Sequence, residues 1–92
     1  MMYTISVAIE NPEERVFTVS VGTTVQHSYT YKVRVSPKTV DQFDLTDEEL
    51  PEVIEQAFRF LLERESPDAI LPSFELMSIA VYFPEFTPGR AT

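Results

Sequence analysis

Over the first third of the chain, apolar and polar residues alternate with a period of two. Tyr3, Ile5, Val7 and Ile9 are apolar, while Thr4 and Ser6 between them are polar, the signature of a strand with one buried face. Asn11-Pro12-Glu13-Glu14 is turn chemistry, with the proline pre-set for the second position of a type I turn. The alternation resumes from Val16 to Val21, with Phe17, Val19 and Val21 on one side and Thr18 and Ser20 on the other. Gly22-Thr23-Thr24 marks the next reversal. From Val25 to Val35 the odd positions Val25, His27, Tyr29, Tyr31, Val33 and Val35 form the inward set, and Gln26, Ser28, Thr30, Lys32 and Arg34 face the other way. Three such runs joined by short turns predict an antiparallel meander with one wet face.

The period then changes. Ser36-Pro37 reads as an N-cap followed by proline at the first helical position, opening one or two helical turns over Lys38–Phe43 with Val40 and Phe43 on one side. Thr46 and Glu49 have capping-box spacing, and Leu45 is placed to staple to Leu50 across the cap. Pro51 disfavours helical geometry at Leu50 and donates no backbone hydrogen bond, so the main helix starts either at this cap or at Pro51. It ends near Glu65, before Ser66-Pro67. Leu50, Val53, Ile54, Ala57, Phe58, Phe60, Leu61 and Leu62 span an apolar arc of about 200° at roughly 100° per residue. Glu52, Glu55, Gln56, Arg59 and Glu63 take the opposite face. A surface helix needs a stripe of only about 100° or slightly more, so the surplus must be covered. The simplest cover is the tail, where Ile70, Leu71, Phe74, Leu76, Ile79 and Phe83 recur mostly at three- and four-residue steps. Ser73–Phe83 reads as a short second helix, with a strand over Ile79–Phe83 as the alternative. Pro84 and Pro88 end regular structure.

The run Phe60-Leu-Leu-Glu-Arg-Glu-Ser-Pro-Asp-Ala-Ile-Leu, followed by Ile79 and Tyr82-Phe-Pro-Glu-Phe, resembles a C-terminal pattern of small bacterial proteins of unassigned function. The shared positions are packing and turn residues. The resemblance implies a compact shared fold and brings no catalytic or binding residue with it.

Ninety-two residues make one domain that buries about 60–65% of its unfolded surface. The reading is α+β over 1–92: a three-stranded antiparallel meander (1–36), a helical half with one main amphipathic helix and a short C-terminal helix (37–87), and a frayed tail (88–92). There is no cysteine, so neither a disulfide framework nor a thiolate zinc site can form. No signal-peptide pattern and no run of about 18 apolar residues is visible, which leads to the expectation of a cytoplasmic protein without membrane contact. Net charge is −8. Residues 1–46 hold four basic and five acidic side chains, and residues 47–92 hold three and ten, so the second half repels phosphate backbones.

Candidate chemistry is sparse. His27 is the one histidine, on the inward face beside Tyr29, and a core role fits it better than catalysis. Glu13-Glu14 and Asp47-Glu48-Glu49 lack calcium-loop spacing; the first belongs to a turn and the second favours a helix N-terminus. Gly22 and Gly89 are the two glycines, too few for a phosphate-cradling loop. No cofactor or metal is expected, and the chain is not expected to be an enzyme. The leading expectation is a protein-interaction module that self-associates, as a homodimer for example, or covers a protein partner through Val53, Phe58, Phe60, Leu62, Tyr82, Phe83 and Phe86. A second reading is a small regulatory or antitoxin-like protein touching nucleic acid through Lys32, Arg34 and Lys38. The acidic total disfavours it. A third is a small enzyme using carboxylates drawn from Glu10, Asp41, Asp44 and Glu75.

Overall fold

The computed structural model describes residues 3–22, 28–84 and 86. The expectations for Val25 to His27, for the second half of the reversal after Gly22 and for the tail from Pro88 fall outside that set. The alternating first third forms strands β1 (Thr4–Asn11), β2 (Val16–Gly22) and β3 (Ser28–Arg34), paired antiparallel in sequence order. Their period of two turns Phe17, Val19, Val21, Tyr31, Val33 and Val35 into the core. Ser20, Thr30, Lys32 and Arg34 are left exposed on the outer face. The fold is α+β, a three-stranded antiparallel meander followed by a main helix and a short C-terminal one.

The turn between β1 and β2 is held by the Asn11 side chain, whose Oδ1 accepts from the N–H groups of Glu13 and Glu14 at 3.1 and 3.2 Å. It closes through Arg15 in the left-handed region (φ 54°). Arg15 Nε then reaches Asp47 at 2.9 Å and ties the hairpin to the turn ahead of the main helix. Ile9 keeps the inward parity, opposite Phe17, but is not covered. It is 56% exposed, because the pairing of β1 with β2 slips between Ile9 and Asn11 and β1 is the edge strand there.

Helix α1 (Pro37–Phe43) begins as its sequence predicts. Ser36 Oγ accepts the Thr39 N–H at 3.3 Å, with proline just inside the start. Asp44 closes the helix in the left-handed region (φ 53°), a conformation that Asp and Asn tolerate better than bulkier residues. Helix α2 covers Leu50–Arg64. The Thr46/Glu49 pattern is half realised: Glu49 Oε1 accepts the Thr46 N–H at 2.8 Å, but residues 47–49 form a turn and the helix starts next to Pro51. Leu50, Val53, Ile54, Ala57, Phe58 and Leu61 are its buried residues, spaced three, one, three, one and three. They form a stripe of about 140° facing the sheet.

After α2, a 3-10 turn (Pro67–Ala69) leads to β4 (Ser73–Glu75) and α3 (Met77–Tyr82). The expected helix over Ser73–Phe83 is therefore corrected at its start: three residues before it are strand. β4 lies parallel to β3, with Lys32 opposite Ser73, Val33 opposite Phe74 and Arg34 opposite Glu75. The Lys32 N–H donates to the Pro72 carbonyl at 2.8 Å, and the Leu76 N–H donates to the Arg34 carbonyl at 2.9 Å. These pairings are with a strand about forty positions earlier, so no local pattern announces them. The Glu75 carboxylate accepts from the Ser36 N–H (3.2 Å) and the Thr39 hydroxyl (3.0 Å), which fastens β4 to the start of α1.

Phe58, fully buried, joins the layers. Its ring centroid lies 5.0 Å from that of Tyr31 on β3 and 5.8 Å from that of Phe74 on β4. The Tyr31 hydroxyl donates to the Pro67 carbonyl at 2.6 Å, so the stack also holds the 3-10 turn. Burial, followed by the neighbouring Tyr29 and Asp68, pushes the Tyr31 phenol up to about 12.

Phe58→Ala removes this joint and should cost about 3–5 kcal/mol in urea-unfolding free energy, the range for deleting a buried aromatic ring. Tyr31→Phe should cost about 0.5–1.5 kcal/mol, since the Pro67 carbonyl keeps the Ile70 N–H as a second donor. The folded phenol holds its proton to about 12, whereas the unfolded chain releases it near 10. Wild-type stability from this group is complete below pH 10 and falls between about 10 and 12. Urea midpoints measured from pH 9 to 11.5 should drop more steeply for wild type than for Tyr31→Phe.

Candidate functional site

The C-terminal half closes on α2 without filling all the space it encloses. Between the end of α2, the 3-10 turn, β4 and α3 lies an open groove of about 390 Å³. Leu61, Ile70 and Ile79 are its buried lining, and Phe74 and Phe83 are half-buried beside them. Leu71 (57% exposed) and Tyr82 (72%) stand at its rim. The polar groups are few: the Glu65 carboxylate, the Ser78 hydroxyl and the Tyr82 phenol. A concave apolar surface with a small number of polar groups can bind an apolar side chain or segment. Val81, also exposed at 71%, does not line the groove.

The structure divides the interface residues expected from sequence. Val53 (6% exposed) and Phe58 (0%) belong to the chain's own core, which corrects their assignment to a surface. The period placed them on the apolar arc, but only the sheet could show which part of that arc was already occupied. Phe60 and Leu62 flank the buried stripe and are half-buried against the core. Phe60 is covered from within the chain. Phe83 meets its ring edge-on at 5.5 Å, Phe86 lies at 5.1 Å, and the Arg64 guanidinium sits 3.8 Å above the ring. The surplus arc of α2 is thus shared between the sheet and the chain's own tail. Of the expected residues, Tyr82 and Phe83 reach the groove. Leu71, Phe74 and Ile79 were not among them. No periodic signal marks Leu71, which follows buried Ile70 in the connection to β4.

The outer sheet face carries the other candidates. Lys32 Nζ pairs with Glu10 Oε2 at 3.2 Å, and the Thr18 hydroxyl donates to Glu10 Oε1 at 2.7 Å. These bonds, the Thr18 one first, hold the Glu10 carboxyl below its ordinary value, opposite to the raised value a general acid needs at neutral pH. Arg34 and Lys38 are exposed, but a carboxylate now stands beside Lys32. Asp41 and Asp44 are exposed, Glu75 is engaged by Ser36 and Thr39, and none of the four expected carboxylates lines the groove. Among the described residues no three His, Cys, Asp or Glu side chains gather as metal ligands, and no helix is long and apolar enough to cross a membrane.

Comparison of the chain with protein-family models, curated proteins and solved structures found no match. The functional reading therefore rests on the fold and the groove.

Phe60→Ala takes away two ring contacts, each worth about 0.5–1.5 kcal/mol. It should lower stability by about 1–3 kcal/mol and speed hydrogen exchange at the Phe83 and Phe86 amides, while the Val19 and Val33 amides in the sheet keep their protection relative to global unfolding.

Proposed function

We propose that the chain is a non-enzymatic protein-interaction module that receives an apolar side chain or segment of a partner protein in the C-terminal groove. The observation that carries this reading is the exposure of Leu71 and Tyr82 at the rim of a lined apolar concavity. Aromatic and aliphatic anchors in such pockets dominate binding energy at protein interfaces. The charge of the chain, −8, and the Glu65 carboxylate at the groove favour a partner with a basic residue beside its apolar anchor. With Phe60 covered by Phe83, Phe86 and Arg64, the reading keeps Tyr82 and Phe83 of the residues expected from sequence and takes the groove between α2 and α3 as the interaction surface. The nucleic-acid reading is weakened by Glu10 beside Lys32. The carboxylate-enzyme reading gains nothing from a groove lined by one carboxylate.

A Leu71→Asp/Tyr82→Asp double variant tests the reading. Both positions are exposed, so unfolding free energy should change by no more than about 0.5 kcal/mol per site. Quantitative capture from the source cell, with wild type and variant as paired baits, should yield a protein retained by wild type and lost by the variant. A partner held equally by both baits would place binding elsewhere. Glu65→Lys should weaken retention of a basic partner without altering the fold.

A further inference from the structure

The outer edge of β1 is a second surface, separate from the groove. Its backbone directions follow from three hydrogen bonds across the sheet. The N–H of Lys32 and the carbonyl of Arg34 bond to Pro72 and Leu76, so the even residues of β3 turn toward β4. The Val35 N–H donates to the Arg15 carbonyl at 3.0 Å, so the odd residues of this segment turn toward β2. In an antiparallel ladder, residues that bond one neighbour alternate with residues that face away from it. The odd residues of β2 therefore bond β3 and its even residues bond β1. The register sets Thr4 opposite Gly22, Ser6 opposite Ser20 and Ala8 opposite Thr18, so these three are the inward-bonding residues of β1. Ile5, Val7 and Ile9 then present their N–H and C=O groups to the open side. Among the described residues no strand pairs with that side.

Edge strands are commonly blunted by lysine, proline, an inward-pointing charge or a bulge. Thr4 to Ile9 contain no charged residue and no proline, and the single irregularity comes after Ile9. Glu10, the one charge of the strand, is engaged by Thr18 and Lys32. The inner-face row at this edge is also incompletely covered. Ile5 and Val7 are half-buried and Ile9 is 56% exposed, although Phe17 opposite Ile9 is 1% exposed.

We propose that β1 pairs antiparallel with β1 of a second copy about a two-fold axis through Val7, joining two four-stranded sheets into one of eight strands. The strand is complementary to itself. A two-fold axis normal to the sheet keeps both inner faces on the same side, so odd residues must oppose odd residues. With the axis at Val7, Val7 faces Val7, and each Ile9 faces Ile5 of the other copy. Glu10 then faces Thr4, and the two Glu10 carboxylates stand at opposite ends of the ladder, about 20 Å apart at 3.3 Å per residue. Moving the axis to Ala8 sets Ile5 against Asn11, and moving it to Ser6 sets Ile9 against Tyr3, ahead of the strand. The outward-bonding residues Ile5, Val7 and Ile9 are those that this register joins, so backbone and side-chain complementarity coincide. The pairing uses none of the groove residues and stands or falls independently of the groove reading.

Sedimentation equilibrium across a wide concentration range, in about 0.15 M salt to screen the net negative charge, should show a monomer–dimer equilibrium. Ile9→Lys, at an exposed position, should raise the dimer dissociation constant at least tenfold, with circular dichroism unchanged and the urea midpoint unchanged at concentrations where wild type is monomeric. The native sequence has no cysteine, so single thiols report the register. Val7→Cys places two thiols on residues about 5.5 Å apart, within disulfide reach, and mild oxidation should give a covalent dimer. Thr4→Cys places them about 20 Å apart, and the same treatment should give little. Amide exchange at Ile5 and Val7 in wild type should slow as concentration rises. A wild type that stays monomeric at every concentration overturns the proposal. So does a dimer insensitive to Ile9→Lys in which Val7→Cys cross-links no faster than Thr4→Cys, because that dimer would use another surface.

Discussion

Phe58 occupies the point where every layer of the molecule meets. Tyr31 from the sheet and Phe74 from the fourth strand close on its ring at 5.0 and 5.8 Å, and the Tyr31 hydroxyl reaches past it to the Pro67 carbonyl. A chain of this length has one thin core, so one buried aromatic joint can set the position of several elements together. These contacts tie α2, the 3-10 turn and β4 to the sheet. The groove is a by-product of that geometry: α2 and α3 are held apart by the 3-10 turn and β4, and the space between their ends is lined but not filled.

Much of this was legible along the chain, and the reason is local. The meander follows from strict alternation; the start of α1 from Ser36-Pro37; and the inward set from parity, which places Phe17, Val19, Val21, Tyr31 and Val33 correctly. Ile9 keeps its parity, opposite Phe17, yet stays exposed because it stands on the free edge beside the bulge. β4 was illegible because its identity as a strand lies in β3. Three residues between Pro72 and Leu76 have no periodicity of their own, and the apolar spacing around them imitates a helix. The groove was illegible for a related reason. A periodic apolar arc shows how much surface must be covered, but not which part the sheet takes and which part the tail takes. Val53 and Phe58 went to the sheet and Phe60 to the tail, which left Leu71 and Tyr82 at the rim.

The molecule separates its charges from its apolar surfaces. The nine described acids of the second half are largely on the outer side of α2 and in the connecting turns, while Glu65 is the one acid that lines the groove. Mixed surfaces of this kind oppose indiscriminate association of the apolar patches, because approach in the wrong orientation brings like charges together. An apolar rim can then remain exposed without becoming generally adhesive.

The parallel pairing of β3 with β4 also ties the groove to a long-range chain closure. Lys32 and Ser73 are 41 positions apart (73 minus 32), whereas β1 and β2 are joined by a tight turn. The hairpin closes a short loop, whereas the pairing of β4 with β3 closes one that contains α1, α2 and the 3-10 turn and costs more chain entropy. A strand of three residues and a helix of six hold few contacts of their own, so opening them costs less than global unfolding. Since that segment supplies Phe74, Ile79 and Tyr82, the groove exists only while it is in place. Its occupancy by any ligand would hold that segment closed, so binding and completion of the fold become two sides of one equilibrium.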